Sequence, residues 1–274
     1  MFEIMFYPFL ALLGVSFLSG PYGCQMMWHK VACLGDTLSH GALLGLACGA
    51  LIGLNEGLSL FLLSVIWGFF LWLLTKNRQN SSDTIMAFLM QISMALAILV
   101  FSFLGQNTEL MHAFLGDILM IEKTDVFMIF GFDFILGIIL FFCWKKWVLI
   151  AINPDLAKSS NVNVNLQQFI FFTTAGFLVA QTMSLMGALL APAFFIIPSM
   201  AARPLSKTPE KMALISSLFA ILSSFFGLFV SFQFDLPSGA CIVIFCVFIY
   251  VCVVFLGAIK NLLNKYLAYS KIPE

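Results

Sequence analysis

Long runs without a formal charge restrict this chain more than any other feature. Uncharged stretches cover 4–28, 57–75, 84–108, 212–234 and 236–259. Residues 41–55 form another, extended backwards by the segment from Asp36. Residues 126–144 form one more, broken only by Asp133. A membrane-spanning helix needs about 20 mostly apolar residues, so each run is predicted to cross a bilayer. The apolar share is 62% and the charged share 9%, against about 25% charged in a soluble domain. No loop is long enough for a soluble domain, so 1–274 is read as a single transmembrane domain: all-α, a polytopic helix bundle of about eight or nine spans.

The uncertain count comes from 159–202, which carries no formal charge. Its first ten residues are too polar for lipid, and the remaining 169–202 is short for two spans and long for one. The basic residues help. Lys30, Lys76/Arg78, Lys145/Lys146/Lys158, Arg203/Lys207/Lys211 and Lys260/Lys265/Lys271 fall in alternate loops, twelve of the thirteen. Only Lys123 lies on the other side, with Glu109, Asp117, Glu122 and Asp125. The positive-inside rule makes the twelve cytoplasmic. Lys158 and Arg203 then share a side, so two shortened spans near 169–183 and 184–200 give nine helices with a cytoplasmic C-terminus. A re-entrant segment gives fewer. The start Met1-Phe2-Glu3 lacks a basic region and is not read as a cleaved signal peptide. Balanced charge gives no sign of nucleic-acid binding. The seven cysteines form no CxxC pair, which disfavours a thiolate metal site.

Polar groups inside a span are costly and call for a reason. Asp36 and His40 stand four apart in Leu34-Gly-Asp-Thr-Leu-Ser-His40, so a helix stacks them on one face. A carboxylate and an imidazole there can share one cation such as zinc, manganese or iron. The competing reading has Asp36 as an N-cap and His40 merely packed. Beside that pair runs Gly41, Gly45, Gly49, Gly53, a small-residue stripe for close helix contact within or between subunits. Asp235 sits in a short polar break and is a weaker ligand candidate. Asp133 is the lone acid in its span. His29 and Lys30 read as an interfacial anchor, and His112 as a loop residue.

The chain resembles the membrane permeases of bacterial zinc, manganese and iron ABC importers. The residues that carry the likeness are Ser19-Gly-Pro-Tyr-Gly23, Trp28, Leu34-Gly-Asp-Thr-Leu-Ser-His-Gly-Ala-Leu-Leu-Gly45, Leu115-Gly-Asp-Ile-Leu119, Asn153-Pro-Asp-Leu-Ala157, Met186-Gly-Ala-Leu-Leu190, Ile196-Ile-Pro-Ser-Met-Ala-Ala-Arg203, Thr208-Pro-Glu-Lys-Met-Ala213 and Asp235-Leu-Pro-Ser-Gly239. The Gly-Asp-Thr-Leu-Ser-His element is the most specific and is most similar to the zinc branch. Two positions depart from the pattern: Gln91 stands where zinc permeases have His, and Asn161 where a Gly is usual. Asn also tolerates positive φ.

The resemblance implies a type II importer-like permease of the bacterial cytoplasmic (inner) membrane. Its cargo is a divalent metal, zinc favoured, with manganese or iron possible. Asp36 and His40 match metal-coordinating positions; Asp235 and Asp117 match other family positions, and Asp235 is the weaker ligand candidate. It implies a homodimer with a separate ATP-binding cassette subunit below and an extracytoplasmic metal-binding protein above. No GxxxxGK[ST] loop occurs, so ATP is expected to be hydrolysed by that separate subunit, docked near Asn153, Pro154, Asp155, Ala157 and Asn161. Neither enzymatic activity nor a permanently bound cofactor is expected. The alternative is a secondary metal transporter driven by an ion gradient, with Asp36, Asp133 and Asp235 as carriers. Thr208 and Pro209 predict a helix restart after Arg203.

Overall fold

A computed structural model describes residues 2–76, 81–105, 114, 116, 118, 121 and 123–269, with backbone alone at 2–5, 76 and 260–269. Among the described residues ten α-helices are defined: α1 (Phe2–Trp28), α2 (Leu34–Ile52), α3 (Glu56–Lys76), α4 (Ser82–Leu104), α5 (Lys123–Ile152), α6 (Pro154–Ser159), α7 (Val164–Met186), α8 (Ala191–Ala202), α9 (Pro209–Phe234) and α10 (Ser238–Tyr269). Eight of them are long and apolar enough to cross a membrane. Side-chain oxygens mark several starts. Ser81, Asn153, Asn163 and Thr208 each accept from a backbone N–H in the first turn. The predicted restart is therefore present, with Thr208 as cap and Pro209 first in the helix. Asn161, between α6 and α7, has φ 59°, the conformation expected where Asn replaces Gly.

Contacts between helices set their directions. Ser16 meets Ser224 at 3.0 Å and Ser217 donates to the Phe17 carbonyl at 2.7 Å, so α9 runs antiparallel to α1. Phe132 packs on Phe177 and Trp147 on Phe171, so α5 and α7 are antiparallel. Gly227 lies against Ile242, linking α9 to α10. The resulting alternation brings Lys30, Lys145, Lys146, Lys158 and Arg203 to one end of the bundle, the basic end. Lipid tails offer helices no hydrophobic reason to associate, so small residues and interhelical hydroxyls matter here. The α1–α8–α9 seam uses both: Ser199 bonds Ser216 at 2.9 Å, and Gly20 and Gly23 let α9 and α8 approach α1.

The stretch 169–200 differs from the expectation of two shortened spans. It forms the end of one full span, α7, and the twelve-residue α8. At 1.5 Å per residue α8 is about 18 Å long, well short of a hydrocarbon core about 30 Å thick. The break falls at Gly187 to Leu190 because Gly187 takes φ 89° and Pro192 cannot donate in a continuing helix. Non-helical backbone at such depth must be sheltered and internally bonded. Gly187 and Ala188 are buried. Gly187 N–H donates to Met183, and Ala191 N–H to the Gly187 carbonyl at 3.1 Å.

Candidate metal site

Helix α2 starts at Leu34, capped by Cys33 without a side-chain bond. Asp36 therefore lies inside the first turn and is not the N-cap. A first-turn carboxylate there is favoured by the partial positive charge of the helix start. Thr37 Oγ1 donates to the Cys33 carbonyl at 2.9 Å and to the Met86 carbonyl at 3.0 Å, which pins this turn to α4. His40 follows one turn later on the Asp36 face. It is 8% exposed, and its Nδ1 is buried without a hydrogen-bond partner. No backbone carbonyl or other group is bonded to that nitrogen. Asp36 is half-buried and close enough for the two side chains to interact electrostatically.

The sequence put this turn at the basic surface, whereas the structure places it deeper. The position of a side chain at Gly35 is 3.1 Å from Pro192 Cβ. Pro192 is ten residues before the basic end of α8, about 15 Å along that helix. The turn preceding Pro192 is reached by segments from the opposite, acidic end. Gly116 packs on Met186 and Gly187, and a Cβ at Gly239 would stand 2.5 Å from the Met186 carbonyl oxygen. The starts of α2 and α8 thus meet inside the bundle, and the turn before α8 lies beneath elements of the acidic end.

The glycine stripe does what its register predicted, within one chain. Gly41 faces Trp67, Gly45 faces Leu63 (a Cβ at Gly45 would stand 3.0 Å from it) and Gly49 faces Ser59, so α3 lies flat on α2. Gly53 is not part of it. It has open space and φ 77°, and ends α2 as a left-handed cap. Asp235 is exposed and caps α9 at φ 50°. Gln91 is exposed, off the buried stripe that α4 turns inward. His29 is not a surface anchor: it stacks on Phe171 at 5.2 Å, and burial pushes its imidazole down to about 4. Asp117 and His112 lie outside the described residues. Among the described residues, no three of His, Cys, Asp and Glu converge as a metal cluster. Desolvation, then the carboxylates of Asp83 and Asp36, push the Cys33 thiol up. That keeps it from being a ready thiolate ligand.

Asp133 is the residue whose weight the sequence understated. It is 7% exposed and neither carboxylate oxygen has a hydrogen-bond partner. Its Oδ2 would lie 2.8 Å from a Cβ at Gly14, so that glycine makes room for it against α1. Only its solitude in an apolar run hinted at this.

Eight long apolar helices among the described residues, a broken hairpin at α7 and α8, and an acid and an imidazole one turn apart on α2 describe a multi-pass membrane protein. The chain belongs to the ABC 3 transport family, whose model matches residues 1–257. It is 31% identical over 257 residues to the high-affinity zinc uptake system membrane protein ZnuB of Haemophilus influenzae, covering 93% of this chain and 98% of that one. It is 23% identical to the manganese import system permease protein ScaB of Streptococcus parasanguinis, covering 86% and 84%. A chain of PsaBC from Streptococcus pneumoniae in complex with Fab has the same fold. Its TM-score is 0.83 at 22% identity, over 92% and 91% of the two chains. Membership of this family sets aside the gradient-driven alternative.

Proposed function

We propose that the chain, as one permease domain over 1–274, forms the translocation pathway of an ATP-driven divalent metal importer, with zinc the favoured cargo. The observation that carries this reading is the bare, buried Nδ1 of His40 on the Asp36 face. An imidazole nitrogen and a carboxylate oxygen suit zinc, and also manganese or iron. Relatives named for zinc uptake match at higher identity than those named for manganese. Two protein ligands do not make a closed structural cage, and a site that must release its ion is better left open. Among the described residues no third ligand joins the pair, the weaker candidate Asp235 included, so water completes it.

The chain has no phosphate loop and no enzymatic role of its own in this account. A separate ATPase drives it, docking on Asn153, Pro154, Asp155 and Asn161, while Ala157, expected among the docking residues, is buried against Ile150 and Val164 and anchors the helix instead. Helix α6 supports this: it is exposed at the basic end and internally braced by a Lys158–Asp155 pair at 3.0 Å. The basic end and the C-terminus are cytoplasmic in the inner membrane. The functional unit is a homodimer, with a metal-binding protein at the acidic end. The test is uptake of radiolabelled zinc and manganese in cells lacking other importers. Asp36→Asn and His40→Gln are expected to abolish or strongly reduce uptake while still co-purifying with the ATPase. Uptake at the wild-type rate in Asp36→Asn refutes the site.

A further inference from the structure

A cavity of about 660 Å³ opens between the acidic-end halves of α2, α3, α5 and α7. That is within the roughly 300–1,000 Å³ typical of small-molecule sites. It is separate from the Asp36/His40 face. On α2 it is lined by Leu46 and Ala50, six and ten residues beyond His40, about 9 and 15 Å further along the helix towards the acidic end. Its polar and apolar parts are segregated by depth. Glu56 opens α3 and Asp125 lies in the first turn of α5, so both carboxylates stand at the rim. Gln181 comes five residues, about 8 Å, inside the end of α7. The floor is Phe132 against Phe177, with ring centroids 5.0 Å apart.

Gln181 is the telling residue. It is 7% exposed and its Oε1 has no hydrogen-bond partner. A buried acceptor left unsatisfied is costly, so it calls for a donor from whatever fills the cavity. The two rim carboxylates also only accept when ionised. An apolar body below a set of acceptors is complementary to a hydrocarbon chain that carries an ammonium. Lys123, exposed on the first turn of α5, adds one positive charge at the same level. A zwitterion matches that pattern: its ammonium suits the acceptors and its phosphate suits Lys123.

We propose that this cavity is a site for one phosphatidylethanolamine molecule, an acyl chain between the helices and the ammonium held by Glu56, Asp125 and Gln181. A phosphatidylcholine head has no N–H to give Gln181, and a phosphatidylglycerol head brings net negative charge to two carboxylates. The test uses the complete importer, permease with its ATPase, in nanodiscs of equal parts phosphatidylethanolamine, phosphatidylglycerol and phosphatidylcholine. Lipid retained after detergent washing is read by native mass spectrometry. Phosphatidylethanolamine is expected at one per permease chain, enriched about tenfold, as one charge-assisted hydrogen bond predicts. Ala50→Trp fills the cavity and removes the retained lipid, while Glu56→Gln and Gln181→Leu erase the headgroup preference. Equal retention of the three lipids, no retained lipid in the wild type, or retention untouched by Ala50→Trp overturns the proposal. Should Ala50→Trp fail to assemble, the headgroup selectivity of the wild type decides alone.

Discussion

Replacing Gly41 by alanine tests the close approach of α2 and α3. A Cβ at Gly41 would overlap the indole of Trp67 at Cδ1 and Nε1. Trp67 is 8% exposed and packs edge-on to Phe70 at 5.7 Å, so the ring has little free space to move into. Overpacking of this kind costs about 1–3 kcal/mol. In a chain of this size 1 kcal/mol lowers Tm by about 2–4 °C, so a loss of roughly 2–12 °C follows. Gly131 is the control. It lies within α5 with nothing within 4 Å of the added carbon. There alanine restores ordinary helix propensity and is worth about 0.5–1 kcal/mol of stability. Thermal unfolding of both variants in the same detergent, followed by loss of the monodisperse gel-filtration peak, makes the comparison. A Gly41→Ala protein as stable as wild type, or a Gly131→Ala protein equally damaged, refutes the packing argument.

Asp133→Asn keeps the shape of a buried side chain whose carboxylate lacks a partner, and is expected to raise stability by about 1–3 kcal/mol; a lower Tm would mean the acid is held by an interaction that stabilises it. His29 has its imidazole pushed from 6.5 to about 4 by burial, so the unfolded chain binds the extra proton first. Its contribution is therefore present above pH 6.5 and is lost as pH falls towards 4, by at most about 3 kcal/mol. His29→Phe, which preserves the stack on Phe171, should flatten that slope, and an unchanged slope in urea titrations at pH 7 and pH 5 counts against it.

The spans were legible because burial in lipid leaves a direct mark, a run without charges. The Asp36/His40 pair and the glycines at 41, 45 and 49 were legible because helical periodicity turns spacing into a face. Gly53 defeated the same rule: its register matched, but its backbone leaves the helix there. The end of α7 was misplaced because Gly187 and Pro192 break a run that hydropathy alone reads as continuous. That break is what carries the start of α8 to the start of α2. The depth of Asp36 was therefore not visible along the chain, since it depends on a contact between Gly35 and Pro192. Nor does local sequence show that Nδ1 of His40, both oxygens of Asp133 and Oε1 of Gln181 lack partners, because partners come from other helices.

The central claim is that Asp36 and His40 hold the cargo. Equilibrium binding of radiolabelled zinc to the detergent-purified permease and ATPase, without the extracytoplasmic protein and without ATP, measures this directly. One zinc per permease chain is expected in the wild type, lost in both Asp36→Asn and His40→Gln and retained in Gln91→Ala. Full zinc occupancy in Asp36→Asn and His40→Gln would contradict it.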